Sequence, residues 1–176
     1  PFKERIKDQI LNSGAVGTKK IISRMINSIR NPKWNANRYY YLRTKCNELP
    51  YVSYTPTLSH EYVGDNYPRL LEKFACAIAA TSLETTIKYW EIPAAGCLTF
   101  MEITKENYGE HLGFVNNETS IFINKNNYKE KFDEYLTDQN NPKWEKIANA
   151  GRDYAINNFN NDIATNKLVE LIENII

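Results

Sequence analysis

Two short apolar runs constrain the fold more than any other feature of this sequence. Residues 74–80 read FACAIAA, and residues 97–101 read CLTFM. Apart from Thr99, both runs are apolar at successive positions, so each would present an apolar surface on both faces of an extended chain. Strands in a parallel sheet have this pattern, because helices cover the sheet on both sides. We therefore predict two buried parallel strands.

The segment between these runs predicts the helix that connects them. Its apolar residues Leu83, Ile87 and Trp90 recur at helical spacing, and Gly96 is typical of the residue that closes a helix. Pro93 is expected to kink this helix or end its first part. The whole is a strand–helix–strand unit.

The rest of the chain continues the alternation of strands and helices. Further strands are expected over 7–13, 51–55 and 119–123, and helices over 17–30, 38–49, 64–74, 128–136, 142–157 and 162–175. This order predicts an α/β fold: a Rossmann-like, doubly wound parallel sheet with helices on both faces and a C-terminal helical tail. With 176 residues, the chain fits one domain.

Several classes of protein are disfavoured by composition. No run of about 18 apolar residues is available to span a membrane. The three cysteines, Cys46, Cys76 and Cys97, are too widely spaced for a zinc site or a disulfide framework. Cys76 and Cys97 lie in apolar runs and are expected to be reduced core residues, which predicts a cytoplasmic protein.

Positive charge is concentrated near the beginning of the chain. No acidic residue occurs between Asp8 and Glu48, whereas the basic residues there are Lys19, Lys20, Arg24, Arg30, Lys33, Arg38, Arg43 and Lys45. Such a segment favours an anionic partner or a solvated helix face. Nucleic acid is disfavoured, because the net charge is only +1 and no nucleic-acid-binding module is recognisable.

The helix predicted over 17–30 is both basic and amphipathic. Its apolar residues could make peripheral contact with an anionic membrane. Alternatively, this apolar face packs on the sheet, and that is the interpretation we favour from the sequence.

Common enzyme signatures are missing, so candidate site residues are placed by topology. Ligands of open parallel sheets bind outside the carboxyl ends of the strands. One such end is Thr81-Ser82, and the helix after it carries Lys88 and Glu91, three positions apart. A cation for phosphate and a carboxylate for vicinal hydroxyls would suit a sugar nucleotide. The alternative is an exposed helical ion pair without a ligand.

The same residues resemble a known family. The stretches NYPRLL at 66–71, FACAIAATS at 74–82 and KYWEIPAAGCLTF at 88–100 resemble the C-terminal domain of GT-B glycosyltransferases, in particular the group 1 and CgeB-like branch. Residues 10–14, 111–115 and 146–152 agree with that pattern, and YYLR at 40–43 resembles its Y-P-L-R element with Tyr41 in place of proline. Residues 17–37 would then be an insertion.

The resemblance implies a set of donor-binding residues. Glu91 would accept hydrogen bonds from sugar hydroxyls, Lys88 and Arg43 would face the diphosphate, and Gly14 would let the backbone approach it. Ser82 would add a hydroxyl, and His60 in the loop after residues 51–55 could approach the donor. The family commonly has a second glutamate eight positions before Glu91, but that position is Leu83 here.

The resemblance also implies the function and its limits. The chain would be the nucleotide-sugar-binding half of a glycosyltransferase, with the acceptor-binding N-terminal domain missing and with no catalytic residue of its own. No Asp-x-Asp motif is present, so neither a metal nor a cofactor is expected, and the nucleotide-diphosphate sugar is the substrate. The alternative function is a non-catalytic, transferase-like binding or structural module.

Overall fold

The carboxyl ends of the strands are all brought to one edge, because the sheet is entirely parallel. A computed structural model describes residues 2–18, 20–31, 35–56 and 62–174. Within these ranges five strands pair in the order β2-β1-β3-β4-β5. The strands are β1 (Ile10–Ser13), β2 (Val52–Thr55), β3 (Cys76–Ala79), β4 (Leu98–Glu102) and β5 (Ile121–Ile123).

Helices surround this sheet in the predicted α/β arrangement. They are α1 (Ile21–Arg30), α2 (Ala36–Tyr39), α3 (Tyr41–Cys46), α4 (Tyr67–Lys73), α5 (Lys88–Ala94), α6 (Tyr128–Thr137), α7 (Pro142–Asn158) and α8 (Asn161–Glu173). Short 3₁₀ turns cover Phe2–Glu4, Gly64–Asn66 and Gly109–Leu112. The predicted Rossmann-like fold with a helical C-terminal tail is therefore confirmed.

Both faces of the sheet are buried, as the apolar runs predict. Ile78 packs into a core with side chains of α3 and α6. Its neighbour Ala77 points the other way, into a core with α4 and α5. Successive side chains of a strand alternate between faces, so a run that is apolar at every position serves both cores. All three cysteines are buried and free.

The chain reverses its direction of winding between β1 and β3. From β1 it moves to β2 on one side, and after β2 it returns to β3 on the other side of β1. Parallel sheets bind ligands at such a switch point, because the loops there diverge to opposite faces and leave a crevice. The carboxyl ends of β1 and β3 are therefore the place to look for a site.

The prediction for the helix between the two apolar runs was partly wrong. Helix α5 begins at Lys88 rather than near Leu83, and residues 83–87 form a bend and an irregular segment instead of helix. The Thr81 hydroxyl donates a hydrogen bond to the Glu84 carbonyl and holds this segment out of the helix. Pro93 lies inside α5, and Gly96 (φ +77°) follows the helix as predicted.

The interpretation that we favoured for α1 was also wrong. Its apolar residues do not pack on the sheet: they are between 48% and 81% exposed, and they are Ile21, Ile22, Met25, Ile26 and Ile29. The amphipathic pattern fixes which residues share a face, but it does not fix what that face contacts.

Helix α7 is packed tightly against the loop before β5 at Gly151. A methyl group added to this buried glycine would overlap the carbonyl oxygen of Thr119. We therefore expect Gly151→Ala to destabilise the protein by about 1–3 kcal/mol, because overpacking outweighs the better helix propensity of alanine. Urea unfolding measures this change in the free energy of unfolding, provided that the two proteins have the same m-value.

The control is Asn149→Ala on the exposed side of the same helix. It should change the free energy of unfolding by less than about 0.5 kcal/mol. A Gly151→Ala protein as stable as this control would contradict the packing argument.

Candidate functional site

The turn after β1 holds two cationic side chains against the main chain. Gly14 follows β1 directly and has a φ of +108°. A Cβ at this position would lie 2.5 Å from Arg43 Nη2 and 3.1 Å from Lys88 Cε. The missing side chain therefore leaves the space that the two cations occupy, which is a different reason for glycine than the approach of a ligand to the backbone.

Arg43 lies beneath this turn rather than on the surface. It is only 2% exposed. Its guanidinium donates hydrogen bonds to the Ser13 carbonyl and to Asn12 Oδ1 (3.3 Å), and Asn12 Nδ2 donates to the Arg43 carbonyl (3.0 Å). Burial lowers the pKa of Arg43, although an arginine keeps its charge. The expectation that this side chain simply faces a ligand is therefore too simple, because its position also fixes the β1 turn.

Lys88, the first residue of α5, points back toward the same turn. Its Nζ lies 2.9 Å from the Tyr67 hydroxyl and 3.4 Å from Ser13 Oγ, and these two hydroxyls are 2.7 Å apart. Burial, followed by the nearby Arg43 charge, lowers the pKa of Lys88 to about 8. Proton loss from this ammonium group therefore begins close to neutral pH.

Neither cation forms a salt bridge in the described part of the chain. The ion pairs found there within 4.0 Å involve other residues. Glu91, one turn after Lys88, is half-buried. Its pKa is raised, because the effect of burial is larger than the opposing attraction of Lys88. The alternative of an exposed Lys88–Glu91 ion pair is wrong, because Lys88 is directed into the β1 turn.

The prediction from the sequence did not include the polar residues that hold the two cations. Asn12 and Ser13 are the last residues of β1, and Tyr67 is the first residue of α4. Asn12 and Ser13 could have been predicted, because they are a polar pair at the end of an otherwise apolar strand. The role of Tyr67 was not visible, because it depends on how α4 packs beside β1.

Ser82, another predicted site residue, does not join this cluster. Ser82 lines a neighbouring cleft of about 590 Å³, and its backbone N–H donates to the Tyr39 carbonyl (2.9 Å). His60 lies outside the described residues. The structure thus brings together Gly14, Arg43 and Lys88, with Glu91 on the same helix as Lys88.

The cleft beside Ser82 contains a buried carboxyl group at the end of β4. Glu102 is 6% exposed, and its Oε2 has no hydrogen-bond partner among the described residues. Burial, followed by the charge of Glu106, raises the pKa of Glu102 to about 7. The loop after it is held by Asn107, whose Nδ2 donates to the carbonyls of Thr81 (2.9 Å) and Glu102 (2.6 Å).

A larger cavity lies away from this edge. It has a volume of about 690 Å³ and is lined by residues of α6, α7 and the loop before β5. Lys131, Glu134 and Lys143 form an ion-pair network there. None of the predicted site residues that the structure describes lines it. In the described residues, no cluster of histidine, cysteine and acidic side chains is arranged for a metal.

The fold is similar to that of several glycosyltransferases of known structure. Anabaena HepE in complex with UDP has a TM-score of 0.61 and 9% identity over 95% of this chain and 49% of its own. A Rickettsia africae glycosyltransferase has a TM-score of 0.63 and 15% identity over 99% and 49%. The C-terminal domain of LpcC, a Francisella tularensis group 1 family glycosyltransferase, has a TM-score of 0.53 and 13% identity over 90% of both chains.

These likenesses show the fold of the chain. It is the Rossmann-like α/β fold found in these glycosyltransferase structures, and the chain spans about half the length of HepE and of the Rickettsia protein. No protein-family model and no curated protein matches the sequence. Among the helices of the described residues, none has the length and apolar character needed to cross a bilayer.

The buried carboxyl of Glu102 makes stability depend on pH. The folded state keeps its proton up to about pH 7, whereas an unperturbed glutamate has a pKa of 4.5. The folded state therefore binds more protons over this interval, and stability falls as the pH rises from about 4.5 to 7. We expect Glu102→Gln to be more stable than the wild type at pH 8, by about 1–3 kcal/mol, and not at pH 4.

Denaturant unfolding at pH 4, 6 and 8 measures this difference. The matched control is Glu106→Gln, which removes a neighbouring exposed carboxyl group and should shift the wild-type profile only slightly. Parallel stability profiles for the wild type and Glu102→Gln would be the contrary result.

Proposed function

We propose that this domain binds the diphosphate of a nucleotide sugar at the carboxyl ends of β1 and β3. It would be the donor-binding half of a glycosyltransferase that transfers the sugar to an acceptor not yet known. Lys88 would contact the diphosphate, Arg43 would add positive charge from below and hold the turn, and Glu91 would accept hydrogen bonds from ribose or sugar hydroxyls.

The placement of the two cations is the observation that carries the proposal. Arg43 and Lys88 are both largely withdrawn from water, and neither has a carboxylate within 4.0 Å in the residues described. Charges in such positions are costly unless a counter-charge is supplied. An anion at this crevice would supply it, and a switch point is where parallel sheets bind such ligands.

The hydrogen bonds of Lys88 leave room for such a ligand. An ammonium group has three N–H donors, and the Tyr67 and Ser13 hydroxyls engage two of them. The third is available to an oxygen of the ligand. These two hydroxyls also fix the direction of the side chain, so little reorientation would be needed on binding.

Known structures with the same fold agree with this choice of ligand. HepE was solved with UDP and also with UDP and glucose, and pneumococcal GtfA with UDP and GlcNAc. The length relationship to HepE supports a separate acceptor-binding domain. Membership of the CgeB-like branch stays a prediction from residues 88–96.

The chemistry required of this half is stabilisation of a leaving group. When the sugar is transferred, negative charge develops on the departing diphosphate. Preorganised positive charge stabilises that state more than the ground state, and it is already in place before reaction. Arg43 and Lys88 would supply it. We assign no catalytic residue to this chain, and the site residues proposed here do not include a metal ligand.

The pKa of Lys88 gives the first test. Because this pKa is about 8, the ammonium form that attracts a diphosphate is lost above that pH. We expect the Kd for UDP, measured by calorimetry, to rise up to about tenfold between pH 7 and pH 9. Lys88→Arg, which stays charged over this range, should bind UDP with little dependence on pH.

Uridine is the control ligand, because it has the same base and ribose and lacks the phosphates. Its affinity should change equally with pH in the wild type and in Lys88→Arg. If UDP binds equally well at pH 7 and pH 9, or if UDP and uridine both fail to bind at millimolar concentration, the proposal fails and a non-catalytic module becomes the better description.

Glu91 gives the second test. Glu91→Ala should weaken UDP binding by about 10- to 100-fold, because hydrogen bonds from ribose hydroxyls to a carboxylate are lost. The half-buried position of Glu91 means that the melting temperature should change little. Glu118→Ala, which removes an exposed carboxylate elsewhere, is the control for the loss of one negative charge.

Equal losses of stability and affinity in Glu91→Ala would instead assign this residue a structural role. Unchanged affinity in a stable Glu91→Ala protein would remove it from the site.

A further inference from the structure

Helix α1 presents an unusually apolar surface to solvent. At about 100° per residue, its five large apolar side chains fall within a continuous arc of about 140°. They are between 48% and 81% exposed: Ile21, Ile22, Met25, Ile26 and Ile29. We call this arc the apolar face of α1. In an isolated surface helix of a globular protein, such a face is normally turned toward the core.

The helix has the opposite orientation here. Within α1 only Ser23 is partly covered, and every other residue is exposed. Arg24 lines a small cleft together with Thr44 and Lys45 of α3. The polar edge of the helix is therefore the side next to the protein, and the apolar face is directed outward.

Charge indicates what this face contacts. Arg30 lies directly beyond one edge of the apolar arc, and Arg24 lies beyond the other edge, with Ser28 between Arg24 and that edge. Helix α1 has no acidic residue. It lies within the segment between Asp8 and Glu48, where the sequence has no acid at all. Apolar side chains flanked by arginines suit the surface of an anionic bilayer, because the negative surface potential attracts each cation held near it.

Helix α8 provides an internal comparison. It also exposes large apolar side chains, between 46% and 58% exposed: Leu168, Val169, Leu171 and Ile172. Its charged residues are mainly acidic: Asp162, Glu170 and Glu173 against Lys167. An anionic surface would repel α8. The two helices thus share apolar exposure but differ in charge, and only α1 matches an anionic lipid surface.

A second copy of the chain fits the apolar face less well. Two α1 helices in contact would bring four arginines together with no acidic residue from either helix. The resulting repulsion opposes such a pair. The same arginines attract phosphate groups of lipids.

We propose that the apolar face of α1 inserts into the interface of anionic membranes and docks the domain there. This inference does not depend on the proposed function. It does place the Gly14 turn near the bilayer, because only residues 14–20 separate β1 from α1. Seven residues span at most about 25 Å when fully extended.

Vesicle flotation of this chain tests the proposal. The probes are vesicles of phosphatidylcholine alone and vesicles of phosphatidylcholine with phosphatidylglycerol. We expect binding to the mixed vesicles at least tenfold tighter than to phosphatidylcholine, and weaker binding when the salt concentration is raised from about 0.05 to 0.5 M.

Three double variants separate the contributions. Ile22→Ser with Ile26→Ser should weaken binding to the mixed vesicles at least tenfold. The melting temperature should not change, because both side chains are exposed. Arg24→Gln with Arg30→Gln should weaken binding and reduce its dependence on salt. The matched control on α8, Leu168→Ser with Leu171→Ser, should bind as the wild type does.

Several results would overturn the proposal. One is no binding of the wild type to the mixed vesicles, and another is an equal loss in the α8 control. Equal binding to both kinds of vesicle would reject the role of charge. A wild-type dimer that Ile22→Ser with Ile26→Ser converts to a monomer, without any vesicle binding, would assign the face to a second copy of the chain.

Discussion

A positive charge withdrawn from water must be stabilised by groups of the protein, and at the end of β1 this is done by neutral oxygens. The guanidinium of Arg43 is held by the Ser13 carbonyl and Asn12, and the Lys88 ammonium by the hydroxyls of Tyr67 and Ser13. Neutral dipoles stabilise a cation less than a carboxylate does. Burial therefore still dominates the pKa of Lys88, and the pair retains the capacity to attract an anion.

This arrangement depends on elements that are distant in the sequence. Arg43 comes from α3 on one face of the sheet, Lys88 from α5 on the other, and Gly14 from the strand between them. The two helices can approach the same turn because the chain changes its winding direction between β1 and β3. The mutual hydrogen bonds of Asn12 and Arg43 fix α3 to β1. The fold thus accounts for the charge cluster.

Parts of the structure could be predicted because their cause is local. The run at 74–80 is apolar at every position and the run at 97–101 at every position except Thr99, and both became interior strands of the sheet. Lys88 was selected because ligand sites lie after strand ends, and Gly14 through the family resemblance. The Lys88 side chain occupies the space where a Cβ of residue 14 would point. The beginning of α5 was misplaced, because the Thr81 hydrogen bond to the Glu84 carbonyl is not visible in a helical pattern. Tyr67 was missed as a partner of Lys88, since no sequence spacing relates α4 to α5.

The sequence by itself determined the fold class, both buried faces of the sheet and the amphipathic pattern of α1. Hydrophobic periodicity and strand-end glycines follow from backbone geometry, which is the same in every chain. Only the tertiary structure decided that Arg43 lies buried under the Gly14 turn, that Lys88 bonds to hydroxyls instead of Glu91, and that the apolar face of α1 is directed away from the sheet. Each of these depends on packing between elements far apart in the chain, and periodicity within one element carries no information about that packing.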